Sequence, residues 1–198
     1  MNKRRNFQRP PATRNYRKLF VIATEGDKTE PQYFALFSSQ TTTVLVRCLR
    51  SRDESSPPQV LKRMKDYIRD KGLKRTDEAW LIVDKDQWRD DQLLQLHEWS
   101  MQATNYALAV SNPKFELWLL MHFEDATDAA TPRQCSERLN RHLPGYDKGR
   151  IATGKLKPGI AAAIERARQK DQPPCIDWPK SAGTTVYRLV EKLVKSQG

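Results

Sequence analysis

Three carboxylates placed directly after apolar runs carry the first chemical signal. Leu19–Phe37 reads LFVIATEGDKTEPQYFALF: an apolar run, Leu19–Ala23, leads into Glu25-Gly26-Asp27-Lys28-Thr29-Glu30, and a second apolar run at helical spacing follows. Ala79–Val83 (AWLIV) leads in the same way into Asp84-Lys85-Asp86. Each short apolar run predicts a buried strand, and in open α/β sheets ligands bind beyond the carboxyl ends of strands. A parallel sheet therefore brings Glu25, Asp84 and Asp86 to one edge. Asp84 and Asp86 stand two apart, so in an extended continuation their side chains share a face. Convergent carboxylate oxygens suit Mg2+ or Mn2+, with retained waters and substrate phosphates completing the shell. Such an ion would polarise a phosphodiester and stabilise the leaving oxygen, and a carboxylate not fully engaged could move a proton. Asp27 is also close to Glu25, and the sequence does not say which residue assists it.

The elements that position these acids follow from periodicity. Strands are expected at Leu19–Thr24, Thr43–Leu49, Ala79–Val83 and Tyr106–Val110. Between them lie helices from Thr29 to about Ser38, from Pro57 to Gly72 and from about Asp90 to Gln102. Thr29 with Gln32 is expected to cap the first helix, Pro31 fits its first turn, and Leu93, Leu94 and Leu96 are expected to face inward on the third. After the fourth strand, Ser111-Asn112-Pro113 opens an apolar helix over Phe115–Phe123. Strands and helices alternating four times predict a mainly parallel four-stranded sheet flanked by helices. The last third reads as helices only: one capped by Thr131 and Gln134, one over Pro158–Lys170, and an amphipathic one over Thr184–Lys195. Residues 131–198 are thus expected to be a helical extension packed on a 19–130 core.

The 198 residues fit one domain, and no apolar run approaches the roughly 18 residues that span a bilayer. The basic N-terminus lacks the apolar centre and cleavage site of a signal peptide, so a cytoplasmic protein is expected. Cys48, Cys135 and Cys175 are expected to be reduced thiols. Of the net charge of +11, residues 1–18 hold seven cations and no acid, leaving +4 for the rest. This basic, disordered arm could bind a phosphate backbone or act only as a solubilising tail. Gly26-Asp27-Lys28-Thr29 lacks the glycine four residues earlier that a phosphate-binding loop requires, which excludes nucleotide hydrolysis by this chain.

An apolar strand ending in Glu-Gly, with Asp-x-Asp after a later strand of an α/β unit, resembles the Toprim fold of topoisomerases, primases and OLD-type nucleases. The ordered series EGDKTEPQYF (25–34), DKD (84–86), SNPKFELWLLMHF (111–123), YDKG (146–149) and TTVYRLVE (184–191) resembles RloB-like proteins. The resemblance implies a Toprim-like nuclease associated with defence against phage, often beside an ATPase partner. It implies that Glu25 is the acid/base or metal-linked carboxylate and that Asp84 and Asp86 are metal ligands. Glu30 and Glu116 would be supporting acids and Lys148 the basic residue facing phosphate.

Taken together, the expectation is metal-dependent phosphodiester cleavage of DNA or RNA, with tRNA among the substrates considered. The alternative is a non-catalytic module that binds nucleic acid or an ATPase partner. A homo-oligomer is compatible with either reading. Each residue also has a plainer role: Asp84 or Asp86 as a helix cap, Glu30 and Glu116 as dipole compensation in first helical turns, Lys148 as part of a solvated loop. Glu116 sits in an otherwise apolar segment, where a buried acid needs a partner or a metal. His122 reads as packed, and Trp88 as a core residue or a base-stacking one.

Overall fold

A computed structural model describes residues 17–38, 43–49, 56–86 and 88–197. The basic arm lies outside the described residues apart from Arg17 and Lys18, and Lys18 already belongs to the first strand. Its ammonium pairs with Glu78 at 2.6 Å.

Four strands run parallel: β1 (Lys18–Thr24), β2 (Val44–Leu49), β3 (Glu78–Asp84) and β4 (Tyr106–Asn112). A fifth, β5 (Gly183–Thr184), adds antiparallel to β4, giving the order β2-β1-β3-β4-β5. The expected helix over Thr184–Lys195 therefore starts later. Thr184 hydrogen-bonds to Ser111 at 2.9 Å inside the sheet, and α8 covers Val186–Lys195.

Alternation along the strands divides the apolar interior into two layers. Phe20, Ile22, Trp80, Ile82 and Ala109 face one side. There they pack on α1 (Thr29–Phe34), α4 (Phe115–Leu120), α5 (Pro132–His142), α7 (Ile160–Lys170) and α8. Val21, Ala23, Leu81, Val83 and Val110 face the other side, against α2 (Pro57–Lys71) and α3 (Asp90–Ser100). The C-terminal helices share one apolar cluster with the sheet through Cys135, Leu139, Leu156, Ile164 and Leu193. The short α6 (Thr153–Leu156) leads through a 3-10 turn into α7, and Gly159 in that turn lies against the carbonyl of His122.

Several local expectations hold for their stated reasons. Gly72 ends α2 at φ 71°, and Thr131 with Gln134 forms a reciprocal cap on α5. Two do not. Leu94 is 46% exposed, because one step along a helix turns a side chain about 100° away from the buried Leu93. Thr29 does not cap α1; its hydroxyl donates instead to the Lys148 carbonyl at 3.2 Å. Cys48, Cys135 and Cys175 are thiols outside any disulfide, and among the described residues no helix is long and apolar enough to cross a membrane.

Candidate active site

The carboxyl ends of β1 and β3 deliver their acids side by side because the strands are hydrogen-bonded neighbours. The Glu25 amide donates to the Ile82 carbonyl at 3.0 Å, continuing the ladder one residue past β1. The Glu25 carboxylate is then held at both oxygens. Oε2 accepts from the Asp84 amide at 3.1 Å and Oε1 from the Trp88 indole Nε1 at 2.9 Å. Trp88, half-buried, thus enters the site as a hydrogen-bond donor and not as a core residue. No spacing in the sequence signals this, because the contact depends on the turn after β3.

That turn also changes the Asp84–Asp86 relationship. The extended continuation expected from their spacing stops at Asp84. Asp86 takes φ 22°, and its amide donates to the Pro113 carbonyl at 2.9 Å. Both aspartates nevertheless line one open pocket of about 370 Å³, together with Glu25, Glu30, Glu116, Asp27, Lys28 and Lys148. Asp27 lies exposed at its mouth.

Glu30 and Glu116 are buried, at 6% and 2% exposure. The Gly26 amide donates to Glu30 Oε1 at 3.1 Å, and a Cβ on residue 26 would lie 2.2 Å from Glu30 Oε2, so this approach requires glycine. Glu116 Oε1 has no well-aligned hydrogen bond, but the Lys148 ammonium stands 3.2 Å from it and that of Lys114 3.8 Å. The buried acid in the apolar helix has the partner it needs, in the form of an ion pair. The Lys148 loop is itself fastened to α1. Gln32 Nε2 donates to the carbonyls of Lys148 and Gly149 at 3.2 and 3.1 Å, and Gln32 Oε1 accepts from the Ile151 amide at 3.2 Å.

Crowding of like charge in a partly dry pocket sets the proton affinities. Burial, with Glu30 and Asp86 nearby, pushes the Glu25 carboxyl up to about 7 against the opposing hydrogen bonds from Asp84 and Trp88. Burial and the charges of Glu30, Glu25 and Glu116 hold Asp84 well above the usual carboxylate range. Burial also raises Glu30. Burial works against the Lys148 ammonium, yet Glu116, Asp84 and Glu30 raise its affinity for its proton. His122 stands apart from this pocket, packed between Tyr33 and Trp118.

The likeness to known proteins is at family level. A model for RloB-like proteins matches residues 20–193, which takes in every pocket residue named above. The chain belongs to the RloB-like family. No curated protein and no solved structure matches it. All five segments of the resemblance fall within that match, and three of them, 25–34, 84–86 and 146–149, meet around the pocket with Glu116 from a fourth.

The donor set of this RloB-like chain suits a hard divalent cation. It is all carboxylate oxygen, and its six acids outnumber the ammonium groups of Lys28 and Lys148. Among the described residues, however, no three acidic, histidine or cysteine side chains stand close enough to form a ready-made cage. The fit therefore lies in donor chemistry and charge. Mg2+ and Mn2+ are commonly held by one or two carboxylates and several waters.

Proposed function

We propose that this pocket hydrolyses phosphodiester bonds in DNA or RNA, tRNA included, with Mg2+ or Mn2+, in the manner of a Toprim-type nuclease. The observation that carries the reading is convergence: acids from 25–30, 84–86 and 116 line one pocket with Lys148, and Glu25 is tuned to about 7. Strongly perturbed carboxylates in a cleft are the expected mark of acid–base chemistry.

Asp84 and Asp86 would hold the cation, which when bound supplies Lewis-acid polarisation of the phosphoryl oxygen and charge compensation for the leaving group. Glu25, oriented by the Asp84 amide and the Trp88 indole, accepts and returns a proton near neutral pH. Glu30 and Glu116 fix the negative field that keeps Lys148 protonated, and Lys148 meets the phosphate. The proposal extends to a role in defence against phage, beside an ATPase, and its support is the resemblance to RloB-like proteins.

A second reading, a non-catalytic module docking nucleic acid or an ATPase, rests on the exposed cations Arg150, Lys155 and Lys157 that follow Lys148 in the chain. Labelled single-stranded DNA, duplex DNA and total tRNA incubated with Mg2+ or Mn2+ separate the two. Cleavage that requires the ion and disappears in Asp84→Asn establishes the nuclease and its substrate. Cleavage undiminished in that variant refutes the site. An Asp84→Asn protein that keeps its full biological effect identifies the docking module.

A further inference from the structure

Lys148 is the first cation of a run that leads away from the pocket. Residues 144–157 hold Lys148, Arg150, Lys155 and Lys157 against Asp147 alone, a net charge of 4 − 1 = +3. Asp147 is engaged locally, its Oδ1 accepting from the Gly149 amide at 2.8 Å. Arg150, Lys155 and Lys157 are exposed, and among the described residues none of them forms an ion pair. Elsewhere many exposed cations are neutralised: Arg69 by Asp66, Arg89 by Asp91, Arg133 by Glu137 and Arg168 by Glu165.

A merely solubilising loop needs no anchors, and this one has several. Ile151 and Leu156 are buried at 6% and 0% exposure. Gln32 receives the Ile151 amide and donates to the carbonyls of residues 148 and 149, and the Thr29 hydroxyl donates to the first of these. The backbone is pinned while Arg150, Lys155 and Lys157 stand exposed to solvent. Unneutralised like charges on a pinned segment repel one another, and a polyanion relieves that repulsion with release of its counterions.

We propose that residues 146–157 are the track on which the backbone of a polynucleotide lies as it leaves the acidic pocket, and that Gln32 is the positioning residue holding track to pocket. The proposal rests on reading the pocket as a phosphodiesterase. It makes the substrate a chain contacted at phosphates beyond the scissile one, so that a small diester engages the pocket alone.

Binding of a labelled single-stranded oligonucleotide, followed by anisotropy across a salt series, tests it with three variants. Arg150→Ala/Lys155→Ala/Lys157→Ala removes the track. Lys65→Ala/Lys71→Ala/Arg75→Ala removes the same charge from α2 and the turn after it. Gln32→Ala removes no charge. The track variant is expected to weaken binding by about 10-fold or more at low salt, and to reduce the slope of log K against log salt by about 2, at about 0.7 per lost phosphate contact. The α2 variant is expected to shift both much less. Gln32→Ala is expected to raise KM for the polynucleotide more than it lowers kcat. Equal losses in the two triple variants, or an unchanged salt slope, overturn the track. Wild-type affinity and KM in Gln32→Ala overturn its positioning role. Turnover of bis(p-nitrophenyl) phosphate by the wild type reports the pocket by itself: its absence counts against the catalytic reading, while the binding series still decides the track.

Discussion

Trp88 Nε1 donates to Glu25 Oε1 at 2.9 Å, so a side chain four residues beyond the end of β3 sets the orientation and proton affinity of the acid at the end of β1. Because the bond favours the charged carboxylate, removing it raises the Glu25 pKa further above about 7. In Trp88→Phe the acid limb of the pH–rate profile for cleavage is expected to move alkaline by about one unit, since a hydrogen bond to a charged group is worth about 1.5–3 kcal/mol before solvent screening. An unmoved acid limb would show that Glu25 is not the titrating group.

The same crowding weakens the fold at neutral pH. Asp84 is raised by burial and by its acidic neighbours, so the folded state holds that proton more tightly than the unfolded chain does. The linked stability loss develops as pH rises above the unfolded carboxylate value. Asp84→Asn is therefore expected to be inactive yet more stable at pH 8, by about 0.5–2 kcal/mol, with the gain shrinking toward pH 4. Thermal melts at the two pH values check this, and a destabilised variant at pH 8 would contradict it.

A divalent cation that binds the acids should stabilise the folded state by mass action. Millimolar Mg2+ or Mn2+ is expected to raise the wild-type melting temperature by several degrees, and that of Asp84→Asn or Glu25→Gln much less. Equal shifts in all three proteins would place the ion elsewhere.

His122 gives the opposite pH signature. Its Nδ1 lies 3.0 Å from the Trp118 carbonyl and its Nε2 3.1 Å from the Tyr33 hydroxyl, and burial lowers its pKa to about 4. The unfolded chain takes up this proton first, so stability is intact above about 6.5 and drains away as pH falls toward 4, by up to about 3 kcal/mol. Replacing the ring by His122→Phe is expected to remove that component. Urea midpoints of both proteins at pH 7 and pH 4.5 measure it as a difference of differences.

Two glycines separate packing from chemistry. A Cβ at Gly159 would lie 2.3 Å from the backbone oxygen of His122, which cannot yield without moving α4's exit turn. Gly159→Ala is expected to cost about 1–3 kcal/mol. A Cβ at Gly26 meets the movable end of Glu30, so Gly26→Ala is expected to melt near the wild type while cleavage falls. Matching losses of stability in both would remove the distinction.

The parts of this molecule legible in the sequence are those that local pattern dictates. The runs LFVIA and AWLIV became neighbouring buried strands, and their terminal acids converged because parallel pairing leaves few other outcomes. The Thr131–Gln134 cap was readable because both partners lie within one turn. What escaped depends on contacts between distant residues. Thr29 and Gln32 have the spacing of a cap, yet their polar groups serve a loop more than a hundred positions away. Asp84 and Asp86 were placed on a common face by strand periodicity, which ends at Asp84 when the backbone turns to meet Pro113. β5 is two residues long, too short to leave a periodic signal, and it is recognisable only by its pairing with Ser111 and Asn112.

The Lys148–Glu116 ion pair gives the pocket a resident occupant. A tethered ammonium stays near the buried oxygen at an effective concentration set by its loop, far above that of a free competitor making the same single contact. A monovalent metal ion brings no more charge than the lysine it would evict and so gains little by entering. A divalent cation held by Asp84 and Asp86 would leave the pair intact, and the Lys148 side chain, 66% exposed, would still offer its ammonium to a phosphate.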